Sequence, residues 1–88
     1  MTAYNVLIDF EVNRDPEVIH AEFDHAIHVE TIGVNQYQVG FGVEAPNVGE
    51  AYRRGVAGVE STLLMLGVTA PAILSGNVHG PSGGATFD

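Results

Sequence analysis

The chain matches itself at an offset of 33 residues. "YNVLIDFEV", starting at Tyr4, aligns with "YQVGFGVEA", starting at Tyr37. Tyr4 pairs with Tyr37, Val6 with Val39, Ile8 with Phe41, Phe10 with Val43 and Glu11 with Glu44. Each copy alternates apolar and other residues at period two, the pattern of a half-buried strand. Tyr4, Val6, Ile8, Phe10 and Val12 share one face of the first strand. Tyr37, Val39, Phe41 and Val43 share the same face of the second copy.

A helix follows each copy. After the first, Asp15 suits the N-cap, Pro16 the first helical position and Glu17 the positive end of the helix dipole. Ile19, Phe23, Ala26 and Ile27 then recur at helical spacing. After the second, Asn47 caps and Glu50 stands three residues on, as in a capping box. Tyr52, Val56, Val59, Leu63 and Leu66 form the apolar stripe. Gly67 suits a left-handed stop, with Pro71 beyond it.

"HVETIGV" reads as a strand after the first helix, with Asn35-Gln36 as the turn into the second copy. "PAILSGNV" reads as a last strand. The expected order is β-α-β-β-α-β, an α+β, ferredoxin-like two-layer sandwich. Its four-stranded antiparallel sheet has the order 4-1-3-2, with both helices on one face. The central first and third strands are expected to run parallel. Residues 1–78 form this single domain, and residues 79–88 a Gly-rich C-terminal tail. The tail composition predicts mobility, because it buries too little surface to offset about 1–2 kcal/mol of backbone entropy per residue. If the tail is ordered, Phe87 is its expected anchor, on this chain or on a neighbour.

Charge excludes several functions. Eleven acidic residues face three arginines and no lysine, a formal charge of -8. Residues 1–44 hold eight of the acids against Arg14 alone. Such a chain repels a phosphate backbone and an anionic membrane surface, so no nucleic-acid or membrane partner is expected. The open sheet face carries Asn5, Leu7, Asp9, Glu11, Gln38, Gly40, Gly42 and Glu44, without the stacking aromatics and basic residues of RNA-binding sheets. Cysteine is absent. No signal peptide precedes the first strand, so a cytoplasmic location is expected.

His20, Asp24, His25 and His28 crowd "HAEFDHAIH". On a continuous helix, His20, Asp24 and His28 lie largely away from the core. His20 and His28 would stand about 12 Å apart along the axis, too far to share one ion. Asp24, His25 and His28 remain as pairwise metal candidates, and a solvated helix face is the preferred reading. "GPSGG" lacks the lysine and the helix that a phosphate loop needs. No serine lies in a nucleophile elbow. No catalytic residue and no cofactor is therefore assigned.

Contact surface is the remaining signal. Gly40 and Gly42 leave one strand nearly bare beside Leu7; accommodation of sheet twist or a bulge is the preferred reading, and a sheet-to-sheet homodimer contact or a small ligand pocket the competing ones. Leu64 and Met65 are apolar residues off the stripe of the second helix, near the thin turns at Gly55, Ala57 and Gly58. With Phe87, these make the protein-contact candidates Leu7, Gly40, Gly42, Leu64, Met65 and Phe87. The expectation is a small acidic protein that binds a protein partner, dimerises with itself, and acts by occupying its target. Inhibitors from phages and mobile elements offer the class analogy. One alternative is a cofactor-independent oxygenase or isomerase formed by dimerising open faces, with Tyr4, Tyr37, Tyr52 and His28 as its polar groups. The other is a structural or assembly subunit.

Overall fold

The computed structural model describes all residues, Met1–Asp88. Seven elements follow in chain order: β1 (Thr2–Glu11), α1 (Pro16–Glu22), β2 (His28–Gly33), β3 (Gln36–Ala45), α2 (Val48–Leu64), β4 (Ala72–Gly80) and β5 (Gly83–Phe87). They make an α+β domain with one five-stranded sheet of order β2-β3-β1-β4-β5. Every neighbouring pair is antiparallel.

Two expectations about the sheet are corrected. It has five strands rather than four, because the Gly-rich tail folds back on β4 as β5. And β1 and β3 run antiparallel, not parallel. The β2–β3 hairpin reverses the chain within two residues, and Asn35 takes the left-handed conformation there, at φ 58°. A strand returning from α1 parallel to β1 is thereby followed by one that opposes it.

The repeat explains the register. Tyr4 faces Val43 and Phe10 faces Tyr37, so each residue pairs with the counterpart of the other. Leu7 faces Gly40, its own counterpart. The two copies are thus related by a local twofold axis through the Leu7–Gly40 pair. At that crowded point the smaller residue makes room for the larger: a Cβ on Gly40 would lie 2.9 Å from Leu7 Cδ2 and 3.1 Å from His28 Cβ.

Both helices cover the face that carries Val6, Ile8 and Phe10 of β1 and Tyr37 and Val39 of β3, all fully or almost fully buried. From α1, Phe23 brings its ring centroid to 5.5 Å from that of Phe10. From α2, Ala51, Gly55, Val59, Thr62 and Leu63 are buried. Tyr52, Val56 and Leu66, expected in the stripe, are only half-buried, as is Phe41.

α2 begins and ends as its sequence requires. Asn47 Oδ1 accepts a hydrogen bond from the Glu50 amide at 2.9 Å. Gly67 has φ 81°, and the Val68 amide reaches back to the Leu63 carbonyl at 3.0 Å. This is the Schellman closure, which occupies carbonyls that the last turn leaves free.

α1 is shorter than its periodicity suggests. Asp15 sits at the N-cap with Pro16 next, but its side chain makes no capping bond. The helix stops at Phe23, and the Ile27 amide already donates to the Gly40 carbonyl in the sheet. Ile27, expected in the core, is 68% exposed. Seven residues have little helical stability of their own, so the pull of the sheet decides where the helix ends.

The glycines of α2 differ in kind. Gly55 packs against β1, where a Cβ would approach Val6 Cγ1 to 2.6 Å. Gly58 meets only Phe41, at 3.9 Å. Gly55→Val is expected to cost about 2–3 kcal/mol through overpacking. Gly58→Ala is expected to gain about 1 kcal/mol of helix propensity. Thermal melts of the two variants should therefore shift in opposite directions.

Tyr37 adds a pH response. Its hydroxyl donates to the Arg14 carbonyl at 2.7 Å. Burial raises its pKa above the usual 10.0, and the Asp15 carboxylate raises it further. The folded state therefore holds this proton more tightly than the unfolded chain. The contribution is complete below the unfolded pKa and is lost as pH rises through the folded value. Urea midpoints should fall above about pH 10, and the Tyr37→Phe protein should show less of that fall.

Candidate functional site

The face of the sheet away from the helices is uncovered. Strand alternation places Asn5, Leu7, Asp9 and Glu11 of β1 there. The pairing register aligns them with Gly42, Gly40, Gln38 and Gln36 of β3. On the other side of β1, Asn5, Leu7 and Asp9 align with His79, Asn77 and Ser75 of β4. β2 adds His28 beside Gly40 and Glu30 beside Gln38.

One polar row crosses four strands. Ser75 Oγ donates to Asp9 Oδ2 at 3.2 Å. Gln38 Nε2 donates to Asp9 Oδ1 at 2.9 Å. The amide orientation then leaves Gln38 Oε1 as an acceptor, 3.2 Å from His28 Nε2. An amide oxygen cannot donate, so this His28 nitrogen carries a proton. Glu30 Oε1 lies 3.7 Å from the same nitrogen. Alongside, Thr86 of β5 donates to Asn77 at 2.9 Å.

This row holds groups still rather than activating one. Both oxygens of Asp9 already accept hydrogen bonds, from Ser75 and from Gln38. Ser75 reaches a carboxylate, not an imidazole, so the Ser–His contact of an activated nucleophile is missing. Gln38 separates Asp9 from His28 and has no proton to lose near neutral pH. What the row offers is fixed acceptors and one fixed imidazole N–H on a flat surface.

An apolar island adjoins it. Gly40 lies under Leu7, His28 and Ile27, with Ile27 Cγ1 3.6 Å from the position of an added Cβ. The space expected above Gly40 is thus filled by neighbouring side chains of the same chain. Gly42 differs, since nothing lies within 4 Å of where its Cβ would stand. It forms part of a shallow depression of about 210 Å³ with Ala3, Tyr4, Asn5, Val43 and Glu44.

The histidine cluster is dispersed. His20 remains on α1 and contacts Thr31 Oγ1 at 3.1 Å. Asp24 and His25 lie in the turn after α1, with a 4.0 Å approach between carboxylate and Nδ1. His25 stacks near Phe23 and Phe41 on the helix-covered side. His28 is in β2 and points to the open face. The helical geometry expected for residues 24–28 is therefore corrected. Asp24 and His25 are neighbours, whereas His28 is on the opposite side of the sheet. No group of three His, Cys, Asp or Glu residues has metal-binding geometry.

The other contact candidates separate too. Leu64 and Met65 are 60% and 79% exposed at the end of α2. Phe87 is turned inward and stacks on Tyr52, with centroids 4.3 Å apart and planes 9° from parallel. That contact anchors β5 to its own chain. No helix is long and apolar enough to cross a membrane.

The arginines are engaged away from the open-face carboxylates. Arg53 and Arg54 engage Glu50 at 3.2 and 3.8 Å. Arg54 also donates to the Glu44 carbonyl. Arg14 donates to the carbonyls of Asn13 and Leu66. Asp9, Glu11, Glu30 and Glu44 are thus left without an arginine partner for their carboxylates.

Sequence reasoning placed Asp9 and Gln38 on this face but missed the row that joins them. Their pairing depends on the antiparallel register, and Ser75 enters only through the β1–β4 pairing. The chain matches no protein-family model, no curated protein and no solved structure.

Proposed function

We propose that this chain is a small acidic protein-interaction domain that acts by occupying a partner protein through its uncovered sheet face. We read β1 to β4 and the two helices as a ferredoxin-like unit, which β5 extends. One observation carries the functional reading. A whole sheet face is left bare by both helices, and it bears four carboxylates, a rigid polar row and an exposed isoleucine. A sheet face without cover is a natural docking surface, and a central apolar spot within a polar surround has the anatomy of an interface.

Two rivals are weaker. A dimeric enzyme enclosing its site between open faces would use the tyrosines as polar groups. Here Tyr37 spends its hydroxyl on the Arg14 carbonyl, and Tyr52 stacks on Phe87. Both lie on the helix side, and the open face has only a shallow depression. An assembly subunit whose tail orders against a neighbour is disfavoured because β5 pairs with β4 of the same chain.

Affinity capture from the native host tests the reading, with the wild-type chain and an Ile27→Asn/Glu30→Gln variant as baits. A partner retained by the first and lost by the second supports it. Partners that bind both baits equally would place the interaction elsewhere. Light scattering on a sizing column tests the self-association expected from the sequence: a strict monomer at high concentration removes the homodimer.

A further inference from the structure

We propose that the occupant of the open face is a cationic segment of another protein, not a second copy of this chain. This rests on the protein-binding reading and names the chemistry of the partner. The carboxylates of Asp9, Glu11, Glu30 and Glu44 share the face, and no arginine side chain meets them there. Two such faces brought together would stand about 10 Å apart, the usual spacing of packed sheets. Eight carboxylates would then confront one another with no arginine or lysine between them, only the His28 and His79 imidazoles of each copy, and like charges across an interface oppose binding. A segment bearing Arg or Lys reverses the sign of every one of those terms.

The apolar island completes the match. Leu7 and Ile27 converge over Gly40 in the middle of the face, and Ile27 is 68% exposed. An apolar partner residue can seat there while flanking cations reach Glu30 on one side and Glu44 on the other. Asp9 is held in place by Ser75 and Gln38, so its charge needs no reorganisation on binding. The five strands hold 10, 6, 10, 9 and 5 residues, and at about 3.4 Å by 4.8 Å per residue they give a face of roughly 650 Å². That is most of one partner's share of a standard interface, about 800 Å².

The probe is a ten-residue peptide alternating arginine and valine, titrated into the isotope-labelled chain and followed by amide NMR shifts. Its counterparts alternate glutamate and valine, or arginine and serine. The expected result is saturable binding of the arginine–valine peptide, weaker at high salt. Shifts should concentrate at Leu7, Asp9, Ile27, Glu30 and Gly40. Ile27→Asn, and separately Glu30→Gln/Glu44→Gln, should each weaken binding about fivefold or more. All these side chains are solvent-facing, so folding is retained, and melting curves confirm it. Glu60→Gln and Leu64→Asn on α2 should change nothing.

Equal binding of the arginine–serine peptide, or shifts spread over α2, would overturn the proposal as indiscriminate charge attraction. A dimer weakened by Ile27→Asn would overturn it in favour of a second copy. If host capture yields a partner that needs Ile27 but presents no basic segment, this proposal fails while the protein-binding reading stands. If capture yields no partner and the chain is monomeric, the broader reading fails with it.

Discussion

Phe10→Ala is expected to lower stability by about 3–5 kcal/mol, the usual cost of truncating a fully buried phenylalanine. Phe10 has no exposed surface. Its ring joins three elements: β1 itself, Phe23 at the end of α1 at 5.5 Å, and Tyr37 of β3 at 5.8 Å. α1 is too short to stand alone, so the cavity would also release its main anchor to the sheet. Natural domains have about 5–15 kcal/mol in total, and one of this size sits towards the low end. At about 4–8 °C per kcal/mol, melting should fall by at least about 12 °C. A calorimetric scan or a urea titration reads this directly. A shift under about 5 °C would mean that the three rings do not pack as described. Phe41, which shares the expected buried face of β3 with Tyr37 and Val39, is only half-buried, and its truncation should cost less than that of Phe10.

The elements most legible in the sequence were those with two independent signals. β1 and β3 show both period-two alternation and the repeat, and their buried faces are the ones expected. α2 shows a cap at Asn47 and a stop at Gly67, and both are realised. α1 had a good start signal but no stop signal. Ile27 was apolar and at helical spacing, so periodicity alone extended the helix through it. What overrode that pattern was a backbone bond from Ile27 to Gly40, on a strand thirteen residues away. Such pairing leaves no local trace.

The direction of β3 had a trace that is easily misread. A repeat in sequence invites parallel placement, yet a twofold axis relates the copies and turns one strand against the other. The same axis sets which side chains meet across β1 and β3. Asp9 and Gln38 were visible as residues of one face, but their hydrogen bond requires the register, and Ser75 and His28 come from strands on either side. The candidate surface was thus legible as composition and illegible as a network. β5 was masked by glycine, which weakens strand propensity. Its clues were the Gly80-Pro81-Ser82-Gly83 turn signature and the inward Ala85 and Phe87 two residues apart.

Deleting residues 83–88 should cost about 2–4 kcal/mol, because β5 is a strand of the sheet with an aromatic anchor. The deletion removes the ladder from Gly76–Phe87 to Gly80–Gly83 and the stack of Phe87 on Tyr52. Tyr52 in turn lies against Gly76, where a Cβ would collide with its ring. Without Phe87 that ring is exposed, and α2 loses part of its contact with the far end of the sheet. The uncovered β4 edge would also present unpaired backbone groups to other molecules, which promotes association. The truncated chain should melt at lower temperature and aggregate sooner. Phe87→Ala separates the two contributions, since it keeps the ladder and removes only the stack. If the stack is the anchor, this single change should reproduce about half or more of the loss. Proteolysis should then show faster cleavage near Pro81 and Ser82 in the Phe87→Ala protein, as β5 detaches. A truncated protein with an unchanged melting temperature would show that β5 adds nothing to the fold. A full-length dimer that becomes a monomer on truncation would show instead that the strand is exchanged between chains.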